Sequence, residues 1–467
     1  MRLLSVLLLL VSSALSQILV LRDVNVVDVS HARMRPNQTV VIKDGWIKTV
    51  SPKVRIPEGA RVVNTSGKFL IPGLWDMHTH VAGISADPQW GKLLLPQYLA
   101  QGITGIRDMA GDVDALLAWK RDQAEGRLEG PRMFIAGPFL DRSTQGFDHP
   151  GDVTAAATPE AGQAAVRLLK SRGVDFIKVG SQLSRETFFA IAEECRRQGI
   201  AFLGHVPNSV TPLEASSAGM KSQEHLYGIA LSISAKEEAL RNQISDARAH
   251  DNAKAYAAAT TETQTTTDEA KALGLFKAFN RNGTWIVPTL VWTETTSKLS
   301  VRQDSPQLAY LPSSLREKWK PGSEIVPKSA EDYYARKLQS DLQIVRLMHK
   351  AGVRLLAGSD SLDPYVFPGD SLHHELELLV RAGLPPADAL RAATLGAAEF
   401  FGLESELGTI EEGKRGDLVL LEANPLENIS NTRRIAAIIQ NGRWMTPQEI
   451  LDRASSLRMF LNVTNTQ

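Results

Sequence analysis

His78 and His80 stand one residue apart at the end of the mostly apolar run IPGLWDMHTHV, Ile71 to Val81. Alternate residues of an extended strand point to the same face, so a strand here aims both rings one way and forms a two-toothed metal clamp. Four more side chains with suitable chemistry close other short runs: Lys178 in VDFIKVG, His205 in IAFLGHVP, His225 in SQEHL and Asp360 in VRLLAGSD. Nitrogen and oxygen donors without thiolate suit a divalent cation such as Zn²⁺, with other divalent ions open. Each residue also has an ordinary alternative. A strand-end histidine can be a hydrogen-bonded core group, and Asp360 can cap a helix. Lys178 is harder to explain that way, because an unpaired ammonium within an apolar strand is costly. Independent ordinary reasons for all of them, with a tandem pair besides, make a poorer account than one metal centre.

The elements that must position these groups follow from the rhythm of the chain. Counting FLIPGLWDMHTH first, then GITGIRDM, RMFIAGPF, VDFIKVG, IAFLGHVP, SQEHL, TWIVPTLV and VRLLAGSD, eight strands can be read. Between them lie segments such as TPEAGQAAVRLLKSRG and SRETFFAIAEECRRQG, with apolar residues three and four apart. This alternation predicts an α/β fold, a (β/α)8 TIM barrel, in which all strands finish on one rim and the site forms there. Before the barrel, ILVLRDVNVVDVS, QTVVIKDGWIKTVSP and ARVVNTSGKFLIPG are β-branched runs broken by Asp-Gly and Ser-Gly-Lys turns. After Leu403, LGTIEEGKRGDLVLLEANPL and IAAIIQNGRWM return to β character. The expected organisation is a signal segment over 1–16, a β-sandwich made from 17–69 and 403–467, and a barrel over 70–402. An irregular stretch around 229–350, with ATTETQTTT and a proline-dotted loop from Pro306 to Pro327, is expected to be a lid or helical insertion over the active face.

Lysine plus arginine and aspartate plus glutamate each number 52, so no net field favours a nucleic acid or an anionic membrane. The expected partner is a small-molecule or dipeptide substrate, and a homo-oligomer is compatible with the sequence. Arg2, the apolar Leu3–Val11 and the small residues around Ala14 and Ser16 have the layout of a secretory signal peptide cut near Ser16. The apolar stretch falls short of the ~20 residues that span a bilayer, so export without stable membrane insertion is expected. Cys195 is the only cysteine, which excludes an intrachain disulfide and a thiolate cluster. Sequons at Asn37, Asn64, Asn282, Asn428 and Asn462 are common enough by chance to decide nothing.

The stretches PGLWDMHTHV, GITGIRDMAG, VDFIKVG, GHVP, QEHLYG, LLAGSD and GTIEEGKRGDLVLLEANPL together resemble the amidohydrolase superfamily. The resemblance covers nearly everything after the signal segment and points to the branch of Xaa-Pro dipeptidases, imidazolonepropionase-like proteins and ochratoxin-hydrolysing amidases. It implies two divalent ions: His78, His80 and Asp360 on the more buried one, His205 and His225 on the more exposed one. Lys178 matches the lysine that becomes N6-carboxylated and bridges both ions. It further implies attack on an amide C–N bond by a metal-bridging hydroxide, since bound water has its pKa lowered toward ~7. Asp360 would take the proton and pass it to the departing amine. Tyr227, two residues past His225, can hydrogen-bond the developing oxyanion or simply pack in the wall. In GPFLDRSTQGFDHPGD, Arg142 and His149 are candidates to hold a substrate carboxylate. Arg107 is a further candidate for that carboxylate, although an ion pair with Asp108 or a neighbour is expected; His373 and His374 open the helix after strand eight, where one can face the pocket but a solvated helix start is expected.

Three functional readings follow. The first is an exported binuclear metal-dependent amidase or dipeptidase. The second is a mononuclear deaminase or imidazolonepropionase-type cyclic amide hydrolase, which expects no lysine ending strand four and usually a glutamate near the later histidines; HVPN and HLYG lack one three residues on. The third, a binding protein on the same scaffold, is weakened by the complete set of ligand candidates.

Overall fold

The computed structural model describes residues 18–83, 88–145, 150–301, 305–311, 313–319 and 328–464. The expected signal segment and His149 lie outside the described residues. Eight barrel strands run Leu74–Thr79, Ile103–Asp108, Arg132–Ile135, Ile177–Val179, Phe202–Gly204, Ser222–Glu224, Trp285–Val287 and Arg354–Leu355. Strands one to three pair in parallel, as do strands four to eight. Two backbone seams close the ring. The Asp175 amide donates to Ile135 O (2.9 Å) between strands three and four, and Met77 N to Ala357 O (2.9 Å) between strands one and eight.

Two of the expected strands are broken. The run FLIPGLWDMHTH divides at Gly73, where an added Cβ would fall 2.0 Å from Thr104 Oγ1. Phe69–Pro72 joins the terminal sheet, and only Leu74 onward belongs to the barrel. The run RMFIAGPF breaks at Gly137, whose φ of 66° is costly for a residue with a Cβ. Its first half pairs with strand two, while Phe139–Asp141 pairs with strand four and with Val153–Ala155.

The helices end where their sequences say they should. Pro159–Arg172 begins after Thr158, whose side chain accepts from Ala161 N, and stops at left-handed Gly173. Arg185–Gln198 does the same between Ser184 and Gly199.

The mixed β-sandwich is built from both chain ends. Leu418–Leu421 lies between Ile435–Gln440 and Phe69–Pro72, and the latter runs parallel to Ile18–Asp28. Its hairpins turn on Asp44-Gly45 (φ 53° and 80°) and Asn441-Gly442 (φ 51° and 77°), both positive at the two central positions as two-residue turns require. Leu21, Val40, Ile42, Leu418, Leu420 and Ile439 fill its interior.

Between strands six and seven the chain forms Ile229–Ser232, Glu237–Ala249, Ala253–Thr263 and Glu269–Asn282. The threonine-rich stretch is therefore partly helical, and Glu237–Ala249 and Ala253–Thr263 make an antiparallel hairpin over the active rim. Its inner face and the 23-residue helix Lys328–Lys350 wall a cavity of about 890 Å³. Among the described residues no helix is long and apolar enough to cross a membrane.

Candidate metal centre

His78 ends strand one on a fully buried backbone, and its ring has its two nitrogens in different settings. Nδ1 lies 2.8 Å from Glu224 Oε2, so with an ionised acceptor Nδ1 carries the hydrogen and Nε2 keeps its lone pair. That Nε2 is buried without a hydrogen-bond partner and faces Asp360 Oδ1 at 3.3 Å. Two acceptors opposed at that distance call for a cation between them. The Nε2 of His80 is 3.0 Å from the same carboxylate oxygen, and His225 Nδ1 is 3.6 Å from Oδ2. His78, His225 and Asp360 each offer a ligand atom within 4.8 Å of the others. The donor set fits a divalent ion.

Electrostatics agree with that use. Burial, then the Lys178 charge, hold His78 well below the usual imidazole range. His205 is lowered by the same two causes. For His225, burial comes first, then His205 and Lys178. His80 falls to about 3, through burial and then Lys178. All four rings are neutral at pH 7, the state that binds metal. Burial raises Asp360 to about 7, with Lys178 opposing it. Lys178 itself is 2% exposed, pairs with no carboxylate among the described residues, and is lowered by burial. A single buried ammonium thus acts on four histidines and an aspartate.

Neighbouring groups fix the rings. Ser181 Oγ meets His205 Nδ1 at 2.8 Å, and Thr289 Oγ1 meets His225 Nδ1 at 2.8 Å. Glu224 is held by Arg107, whose Nη2 lies 3.0 and 2.9 Å from its two oxygens; Arg107 also donates to Met77 O and Ser222 Oγ. Arg107 therefore pairs across the barrel with Glu224, not with Asp108. Asp76 accepts from Ser359 N (2.9 Å) and Oγ (2.5 Å), tying strand one to the strand-eight loop. His225, Leu226, Thr289 and Asp360 all have φ between 47° and 65°, a left-handed backbone that costs ~1–3 kcal/mol per residue and is characteristic of functional sites. At Gly358 a Cβ would come within 2.9 Å of His78 Cβ and N, so only glycine lets strand eight approach the histidine.

The structure brings His78, His80, His225 and Asp360 together, with His205 beside His225 (ring centroids 5.0 Å). Tyr227 stands 5.1 Å from His205 and 5.0 Å from His225, and lines the cavity. Burial raises its hydroxyl well above the usual tyrosine range, so it remains a donor. Arg142 is exposed and is not among the cavity-lining residues. His373 is not at a solvated helix start: it is buried, bonded to Thr432 Oγ1 and Gln101 O. His374 bridges Glu294 and Glu377. Sequence reasoning missed Asp76, Glu224, Thr289, Trp292 and the cavity cations. Asp76 alone gave a signal, since it shares strand parity with His78 and His80.

A closed parallel barrel with histidines and an aspartate converging at its rim defines a metal-dependent hydrolase scaffold. Residues 69–445 match the model of the amidohydrolase family, and the chain belongs to that family. Among known proteins it is 25% identical over 450 residues to ochratoxinase of Aspergillus niger, covering 84% of this chain and 79% of that one. In structure it is similar to a bottromycin amidohydrolase (TM-score 0.70, 25% identity, covering 96% and 90%). It is also similar to a putative prolidase from Bifidobacterium longum (TM-score 0.68, 23% identity, covering 94% and 99%). The family match makes it a metal-dependent amidohydrolase acting on C–N bonds, and the prolidase shares its fold.

Proposed function

We propose that the protein is an exported, binuclear amidohydrolase that cleaves the amide of a dipeptide, Xaa-Pro-like, or of an N-acyl amino acid. The observation that carries the reading is Lys178, a buried ammonium without a carboxylate partner among four histidines and Asp360. Carboxylation by CO₂ would turn that misplaced cation into an anionic ligand. His78, His80 and Asp360 would hold one ion, His205 and His225 the other, and carboxylated Lys178 both. Such ions, zinc by donor chemistry, supply Lewis acidity and make water a nucleophile at neutral pH. Asp360, at its less engaged oxygen, accepts a proton and returns it to the leaving nitrogen. Tyr227 donates a hydrogen bond to the carbonyl oxygen as charge develops there. Trp292, 6.0 Å from His225 by ring centroids, and Tyr334, 5.5 Å from Trp292, shield the reacting atoms from bulk water. Support for export is the pattern of Arg2, Leu3–Val11 and Ser16 alone.

Elemental analysis of zinc-loaded protein, with turnover of a dipeptide and N-acyl amino acid panel, tests the reading. About two ions per chain and hydrolysis lost in Lys178→Ala, with partial rescue by short carboxylic acids, are expected. One ion per chain with full activity in Lys178→Ala would move the assignment to the mononuclear deaminase or cyclic amide class.

A further inference from the structure

Tyr227 and Trp292, whose rings neighbour His225, line a cavity of uneven charge. Arg241, Arg248, Arg336 and Lys337 line it, against one lining carboxylate, Asp341. Two of the cations are already compensated: Arg241 pairs with Glu237 at 2.8 Å and Lys337 with Asp341 at 2.5 Å. Arg248 is not. Among the described residues it has no carboxylate partner, yet it is held in place. Its Nη2 donates to Asn208 Oδ1 (2.9 Å) and to Tyr256 OH (3.2 Å), and its guanidinium carbon lies 5.1 Å from the Tyr256 ring centre. Both residues are uncharged, so they orient the fork without neutralising it. The clamp is also connected to the metal centre: Asn208 N donates to Ser181 O, and Ser181 Oγ contacts His205.

A guanidinium that is fixed, uncompensated and open to a cavity is a receptor for a planar anion. We infer that Arg248 is the anion anchor of the substrate cavity and selects amides that carry a carboxylate away from the scissile bond. The inference rests on the amidase reading of the metal centre and names the substrate class within it. Arg142, which does not line the cavity, is thereby replaced as the carboxylate-binding cation. Either an α-carboxylate or a side-chain carboxylate has this chemistry.

The test uses zinc-loaded full-length protein and three substrates: N-acyl-leucine, N-acyl-leucinamide and N-acyl-glutamic acid α-amide. The first places the anion on the α-carbon, the third on the side chain, and the second removes it. The kcat/KM ratio of the preferred acid to the leucinamide should fall about 30-fold in Arg248→Gln, within the range set by a charge-assisted hydrogen bond. Arg248→Lys should retain part of the ratio, because charge survives while the fork is lost. Asn208→Ala should raise KM for the acid more than it lowers kcat. Arg336→Gln, a second exposed cavity cation without the Asn208 and Tyr256 clamp, is not pre-organised and should change the ratio less than about threefold. A ratio unchanged within threefold in Arg248→Gln for both acids, or moved equally by Arg336→Gln, overturns the inference. If no amide is hydrolysed, the amidase reading fails on its own. Calorimetric binding of benzoate against benzamide, in wild type and Arg248→Gln, then decides the anchor separately: loss of the benzoate preference supports it and retention overturns it.

Discussion

Replacing Arg107 with methionine should damage both the stability of the barrel and the grip on metal, by different routes. The Arg107 side chain is fully buried, and its guanidinium contacts Met77 O, Ser222 Oγ and both oxygens of Glu224. Methionine fills much of the volume but leaves the Glu224 carboxylate buried without its countercharge. Breaking a buried pair by removing one partner costs ~3–5 kcal/mol. Burial already pushes the Glu224 carboxyl upward and Arg107 is the main opposing charge, so the variant carboxyl takes up a proton. A protonated Glu224 is a weaker acceptor for His78 Nδ1, and loss of such an orienting partner lowers metal affinity ~10–100-fold. Urea unfolding of chelated protein, followed by tryptophan fluorescence, reads the first effect; competition titration with a chromophoric chelator reads the second. Arg107→Met with Glu224→Met should recover at least ~2 kcal/mol relative to Arg107→Met, since no buried carboxyl is left without its partner. It should not recover metal affinity, because His78 still lacks its acceptor. A single variant within ~1 kcal/mol of wild type, or a double variant no more stable than the single, would refute the buried-pair reasoning.

Gly358→Ala places a methyl against His78 backbone and Val287, so the folded protein should lose most of its bound metal while keeping its far-ultraviolet circular dichroism; full metal content would show that strand eight can yield. The His374 bridge gives a pH signature away from the metal centre. Burial disfavours its charged ring, but hydrogen bonds to Glu294 and Glu377 outweigh this and raise it to about 9 from 6.5. Its contribution is fully present below pH 6.5 and is lost as pH rises through 9. With the ring 29% exposed, the loss is on the order of 2 kcal/mol. His374→Gln should therefore flatten the decline of apparent Tm between pH 7 and 10, and an unchanged decline counts against the bridge.

Much of this architecture could be read from the residues because it rests on local periodicity. Helices Pro159–Arg172 and Arg185–Gln198 advertise both ends through Thr158, Ser184, Gly173 and Gly199. His78 and His80 follow strand parity, and His205, His225 and Asp360 come directly after or shortly beyond the strand ends. What could not be read depends on contacts between distant segments. Nothing in FLIPGLWDMHTH shows that Phe69–Pro72 would find Leu418–Leu421 as a partner. Arg107 stands next to Asp108 in sequence, but successive strand residues face opposite sides, so its carboxylate had to come from another strand. The same holds for Arg248, which sits in a polar helical stretch and gains meaning only where Asn208 and Tyr256 surround it.

The sheet shared by the two chain ends also sets a timetable for synthesis. Leu418–Leu421 lies between Phe69–Pro72 and Ile435–Gln440, so the sheet lacks its middle until that segment has left the ribosome. At ~5–20 residues per second, the wait from Asp28 to Leu418 is on the order of 20–80 s. Through that interval Phe69–Pro72 presents an unpaired backbone edge to other nascent chains. A chaperone that shields extended segments therefore has its natural client in the early translation product.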